Sequence, residues 1–95
     1  MNINVDKQIY KDAEKLPEHI RVRAAKEMKA LKEATSLKEL ANVRPMKGTN
    51  EPYYRMKFNE YRFMLYHNAQ EDVVEVLSLT HRKDTYRKQN LPWRR

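Results

Sequence analysis

Between Tyr53 and His67 the chain reads YYRMKFNEYRFMLYH, which sets Arg55, Lys57 and Arg62 among tyrosines and apolar residues; farther on, THRKDTYR adds His81, Arg82 and Tyr86. Cations on a strand either screen a solvated face or grip something anionic. Side chains two apart on a strand point the same way, so Arg55 and Lys57 share one side and Tyr54, Met56 and Phe58 the other. On the next strand Arg62, Met64 and Tyr66 form one set, while Tyr61, Phe63 and Leu65 form the more apolar one that belongs against a core. Arg62 then joins Arg55 and Lys57 on an open face, and Val76, Ser78, Thr80 and Arg82 alternate onto the same side. Four cations converge there. Such a cluster repels itself by about 1 kcal/mol per close pair in water and several times that where water is excluded. It either guards a solvated sheet face against edge pairing or grips an anion.

His81 exchanges protons near neutral pH and is a candidate acid, yet its parity sets it opposite Arg82, on the core side. His19 and His67 are given no role. With no cysteine and three scattered histidines in the sequence, neither a disulfide framework nor a zinc site is expected, and no cofactor is implied. Trp93 either stacks on a base or packs against its own fold.

The elements that must hold these residues are legible from spacing. Ile3 and Val5 alternate in a short extended opening. Asp6 is an N-cap for a helix to about Leu16 carrying Ile9, Ala13 and Leu16 on one stripe. Pro17 breaks it and opens a second helix, EHIRVRAAKEMKALKEA, with Ile20, Ala24, Met28 and Leu31 on one face, Ala25 beside them, and Arg21, Arg23, Lys26, Lys29 and Lys32 elsewhere. Ser36 followed by Glu39 fits a capping box for one more short turn. The loop NVRPMKGTNEP, with the only glycine, divides the halves. Three strands follow: YYRMKF, a turn at NE, YRFMLYH, a turn at NAQED, and VVEVLSLTHR. DTYRKQN is a last helical turn or coil before the LPWRR tail. The expectation is an α+β domain of order β-α-α-β-β-β, a two-helix hairpin packed on one face of an antiparallel sheet.

Ninety-five residues make one domain, residues 1–95, able to bury about 60–65% of the surface that its unfolded chain exposes. A composition 40% hydrophobic and 35% charged, with mean hydropathy of -1.02, describes a folded core under a heavily charged surface. Twenty Lys and Arg against thirteen Asp and Glu give a net charge of +7, so attraction to phosphate polymers or anionic partners follows. The opening MNINVDKQIY has neither a basic nor an apolar leader segment, and no run approaches a membrane span, so a cytoplasmic protein without a membrane partner is expected.

The pattern YYRMKFNEYRFMLYH followed by VVEVLSLTHRKDTYRK resembles the RelE/ParE superfamily of bacterial toxins, whose members carry a strand Y-R-x-K/R, a turn, Y-R, and a closing H-R-x-x-x-Y. DAEKLPEHIRVRAAKEMKALKE is similar to the family's helical hairpin with its leucine-proline corner, and Pro45-Met46-Lys47-Gly48 stands where a hydrophobic-Lys-Gly step precedes the second strand. The likeness runs from about Val5 to Arg87. It implies a RelE-like fold and the toxin of a type II toxin-antitoxin system.

In the RelE-like branch the implied activity is metal-independent, ribosome-dependent cleavage of messenger RNA in the A site, by attack of a 2'-hydroxyl on the adjacent phosphate. The matching residues are Arg55, Lys57, Arg62, Arg82 and Tyr86. Lys57, between Arg55 and Arg62, is the expected base, because neighbouring guanidinium groups disfavour a further positive charge. Arg62 and Arg82 are the expected phosphate clamps, Arg55 and His81 substrate-binding residues, and Tyr86 a stacking or proton-handling residue. The implied partners are an antitoxin protein and the ribosome with its mRNA and ribosomal RNA. Two other readings stay open: a ParE-like inhibitor of DNA gyrase without nuclease activity, and a small basic nucleic-acid-binding module.

Overall fold

Period-two alternation in the C-terminal half and a three-to-four-residue apolar spacing in the N-terminal half each need a partner layer, and the chain supplies one to the other. The computed structural model describes residues 1–94; Arg95, the end of the LPWRR tail, lies outside the described residues. In chain order the elements are β1 (Asn2–Val5), α1 (Gln8–Glu14), α2 (Glu18–Glu33), β2 (Val43–Pro45), β3 (Tyr53–Phe58), β4 (Tyr61–Asn68) and β5 (Val73–His81). Single 3-10 turns lie at Leu37–Glu39, Lys88–Asn90 and Pro92–Arg94. The fold is α+β, with the helical hairpin on one face of the sheet, as the sequence led us to expect. No helix among the described residues is long and apolar enough to cross a membrane.

The sheet has five strands in the order β1-β5-β4-β3-β2, one strand more than periodicity indicated. β2 lies inside the segment read as a loop: three residues are too few for alternation to register, and Pro45 is tolerated because β2 is an edge strand. The sheet is also mixed. β1 runs parallel to β5, with Ile3 beside Val74 and Val5 beside Val76, while the remaining pairs are antiparallel.

On the helix side Met56, Phe58, Phe63, Leu65, Val74, Val76 and Leu79 meet Ile9, Ile20, Ala24 and Leu31 in one core. The buried stripe of α2 is Ile20, Ala24, Glu27 and Leu31; Met28 is half-buried and Ala25 exposed. Asp6 caps the first turn of α1, its Oδ1 accepting the Gln8 N–H at 2.8 Å. The cap near Glu39 differs from expectation. Its carboxylate takes the N–H and hydroxyl of Thr35, because the intervening chain forms a single 3-10 turn and not an α-helix. The N-terminal ammonium closes the far end of α2, donating to the Lys32 and Ala34 carbonyls at 2.6 and 2.7 Å.

Sheet parity changes once. A bulge opposite Met64 and Leu65 pairs Met64 with Ser78 but Leu65 with Val76. One extra residue therefore stands on β5, and Val76 faces the helical core, 1% exposed, instead of sharing a side with Ser78 and Thr80 as simple alternation suggested.

The C-terminal segment folds back over part of the other sheet face. Leu91, 1% exposed, packs with Met46 and Met64, and Trp93 lies over Tyr53 with ring centroids 4.8 Å apart. Trp93 thus packs against its own fold. Gly48, at φ +90°, passes beneath the indole, where an added Cβ would stand 3.7 Å from Nε1. Leu91→Ala is expected to cost about 2–3 kcal/mol, read as a lower urea midpoint, together with a red shift in emission from Trp93, the single tryptophan.

Candidate active site

The tail packs over Met46, Met64 and Tyr53, and beyond it the register gathers the cations. Lys57 is the cross-strand partner of Arg62, and Arg62 in turn of Thr80. Arg55 stands opposite Met64 on one side and Arg44 on the other. Met56 and Phe58, between and beyond the β3 cations, are 0% and 2% exposed on the helix side, which leaves Arg55 and Lys57 no direction but outward.

Arg82 follows the last strand and is fixed by the β3–β4 turn. Its backbone N–H donates to the Glu60 carbonyl at 2.7 Å, and its Nε meets the Glu60 carboxylate at 2.5 Å. The two-residue turn at Asn59 and Glu60 closes with Asn59 in the left-handed region at φ 51°, a conformation that asparagine accepts more readily than most residues. Register is preserved without the glycine usual at such a turn, with Phe58 opposite Tyr61.

Tyr86 reaches the same face from the segment after β5. Thr85, 2% exposed, shares a hydrogen bond with Thr80 across 3.1 Å and donates to the His81 carbonyl. Asn90 donates to the Asp84 carbonyl at 2.7 Å. So tied, the segment places the Tyr86 hydroxyl where it accepts the Lys47 N–H at 3.1 Å and Arg55 Nη1 at 3.2 Å. Both acceptor positions of the phenol oxygen are used, and its own proton stays free to be donated.

Arg62 is the centre of the group. Burial, and then the charges of Arg55 and Arg82, hold its guanidinium below the usual arginine range, while Glu60 and Tyr86 act in the opposite sense. It remains a cation at neutral pH, because guanidinium starts from so high a value. For a cation the sign is unfavourable: lowering in the folded state means that the charged form is stabler unfolded, so the cost is fully present at every pH below the alkaline range. An anion on this face would remove it.

His81 does not join the cluster. It stands opposite Tyr61, its ring edge-on to that tyrosine at 5.3 Å, and its Nδ1 accepts the Lys83 N–H at 3.1 Å.

Three residues near the site escaped sequence reasoning. Arg44 lies beside Arg55 because β2 exists; its Nη1 rests on the Val43 carbonyl at 3.3 Å. Asn42 and Glu27 are joined through a 2.8 Å hydrogen bond from Asn42 Nδ2 to Glu27 Oε1. Glu27 had left a signal, a carboxylate in helical register with Ile20, Ala24 and Leu31; Asn42, in an irregular stretch, had left none.

No family model matches the chain, and no curated protein sequence matches it. Solved structures do. The matching chain of the archaeal RelE–RelB complex from Pyrococcus horikoshii is 24% identical with a TM-score of 0.69, over 85% of this chain and 93% of that one. In the RelB–RelE antitoxin–toxin complex from Methanococcus jannaschii the matching chain is 27% identical with a TM-score of 0.70, over 86% and 93%. The intact Escherichia coli RelBE toxin–antitoxin complex gives 20% identity and a TM-score of 0.62, over 84% and 94%. With two helices on one face of a five-stranded mixed sheet, in a strand order consistent with these structures, the chain is RelE-like and has the fold of the RelE toxins.

Proposed function

We propose that this chain is the toxin of a type II toxin–antitoxin pair and acts as a metal-independent, ribosome-dependent endonuclease that cuts mRNA in the A site. The observation that carries this reading is the gathering of basic groups and a phenol on one sheet face, with Lys57 paired to Arg62 across the ladder, Arg82 held by Glu60 and Arg55 bonded to the Tyr86 hydroxyl. Proteins keep such an arrangement where an anion answers it. A phosphodiester passing to a dianionic phosphorane gains more from it than does the ground state, which is the condition for catalysis.

Cleavage begins as a base removes the proton of a 2'-hydroxyl, and the oxygen attacks the adjacent phosphorus. The bond from phosphorus to the 5'-oxygen then breaks, leaving a 2',3'-cyclic phosphate and a 5'-hydroxyl that takes up a proton. Lys57, exposed on the open face opposite Arg62, is assigned as base. Arg62 and Arg82 clamp the phosphate, with Glu60 orienting Arg82. Arg55 binds substrate and Tyr86, whose hydroxyl proton is uncommitted, donates to the developing charge or stacks on a base. His81, whose ring stands edge-on to Tyr61 at the end of β5, is assigned to substrate binding beside the cluster.

The antitoxin is the second proposed partner. Several of the neighbouring RelE structures are complexes with RelB, and a net charge of +7 favours an acidic segment laid over the basic face in competition with RNA.

Primer extension on programmed ribosomes tests the proposal. Wild-type protein should create a new 3' end inside the A-site codon, absent with naked mRNA, and Lys57→Ala and Arg82→Ala should each cut at least about a hundredfold more slowly. Cleavage undiminished in both variants would overturn the assignment; absence of any cut would favour gyrase as target. A second measurement concerns the cost of the cluster. Arg62→Met should abolish cleavage without lowering the melting temperature at low salt. Any gain in melting temperature should shrink in high salt, where the repulsion that Arg62 feels from Arg55 and Arg82 is screened.

A further inference from the structure

Lys57 occupies the second-last position of β3, beside a two-residue turn and with its side chain in solvent. A lysine so placed has little packing to steady it. The regular ladder to β2 ends one residue earlier, at Val43 opposite Met56. Asn42 extends it by other means. The Lys57 N–H donates to the Asn42 carbonyl at 2.9 Å, and the Asn42 side-chain amide donates to the Lys57 carbonyl, also at 2.9 Å. Both polar groups of the Lys57 backbone are held by a single residue.

The second proton of that amide goes to Glu27 Oε1 at 2.8 Å. Glu27 is 9% exposed on the buried stripe of α2, and Arg23, one turn earlier, reaches the same oxygen at 3.7 Å. A carboxylate in such a place is costly unless its hydrogen bonds are made. Its bond from Asn42 is charge-assisted, and both amide donors of Asn42 are thereby used. Helix α2 is tied through two side chains to the backbone of one strand residue.

We infer that Asn42 and Glu27 are positioning residues for Lys57: Glu27 fixes the Asn42 amide, and Asn42 clamps the Lys57 peptide so that the ammonium is presented beside Arg62. This rests on the cleavage reading for its catalytic consequence, but the clamp has an observable of its own. A misplacement of about 1 Å at a proton-transferring group costs up to about a hundredfold in rate, whereas binding of the ribosome and mRNA engages many other cations. The clamp therefore acts on kcat and leaves KM nearly unchanged.

The test compares Asn42→Ala, Glu27→Gln and Glu27→Ala with wild type, by cleavage kinetics on programmed 70S ribosomes and by amide hydrogen exchange. Asn42→Ala should lower kcat about 10- to 100-fold with KM within about twofold. It should speed exchange of the Lys57 amide about tenfold while Phe63, Leu65 and Val76 stay protected. Glu27→Gln keeps an oxygen that accepts from Asn42 and should preserve kcat; Glu27→Ala should lower it. Wild-type kcat in Asn42→Ala would overturn the inference, as would a rate loss accompanied by faster exchange throughout the sheet. Failure of Glu27→Gln to rescue relative to Glu27→Ala would remove Glu27 from the clamp. Should wild-type protein not cut at all, the cleavage reading fails by itself, and exchange at Lys57 decides the clamp: selective loss of protection supports it and unchanged protection overturns it.

Discussion

Burial of the inner face of β3, β4 and β5 against the helices is the constraint on which the placing of Arg55, Arg62 and Arg82 depends. Guanidinium groups in water separate if the chain lets them. Here the backbone prevents it. Arg62 sits in the middle strand of the open face, with Lys57 across the β3–β4 ladder and Thr80 across the β4–β5 ladder. The neighbours of these residues in sequence, Met56, Phe58 and Phe63, are locked into the core on the opposite face. Rotating a strand to relieve the cations would bring those side chains into water, at about 1.5–3 kcal/mol for each, so burial on one face outweighs repulsion on the other.

Local chemistry then sets the cations' aim. Glu60 sits in the β3–β4 turn beside Arg62, and it grips Arg82 through backbone and carboxylate together. Exposed ion pairs add little to stability; this one matters for direction. Tyr86 does the same for Arg55, and the buried Thr85 beside it keeps the phenol over the sheet. The bulge in β5 has a structural part in this arrangement. By adding one residue opposite Met64 and Leu65, it lets Val76 serve the helical core while Ser78 and Thr80 stay beside the cations.

Much of this was legible in the sequence, for identifiable reasons. Alternation through YYRMKF and YRFMLY is long enough to fix two strands and their inner faces, because a half-buried strand with mixed residues has only one orientation that hides its apolar set. The proline at position 17 and the stripe Ile20, Ala24, Leu31 fixed the helical hairpin in the same way. Where the pattern was short it failed. β2 has three residues and a proline; β1 was read as the first strand but placed in an antiparallel sheet, since nothing in four residues names a parallel partner some seventy positions away. Parity in β5 failed at one residue because a bulge leaves no mark that alternation would reveal.

The sequence by itself therefore determined the longer elements, the inner faces of β3 and β4 and the sign of the outer face: these follow from periodicity and charge, which are local quantities. Tertiary structure decided which cations meet. Arg82 and Tyr86 come to Arg62 and Arg55 through the β3–β4 turn and the Thr85 anchor, His81 turns to Tyr61, Arg44 enters on an edge strand, and Asn42 links Glu27 of a helix to Lys57 of a strand. Each of those contacts joins groups whose side chains would serve equally well in solvent. Only the packed geometry, with burial enforcing the position of every backbone beneath them, selects the partners.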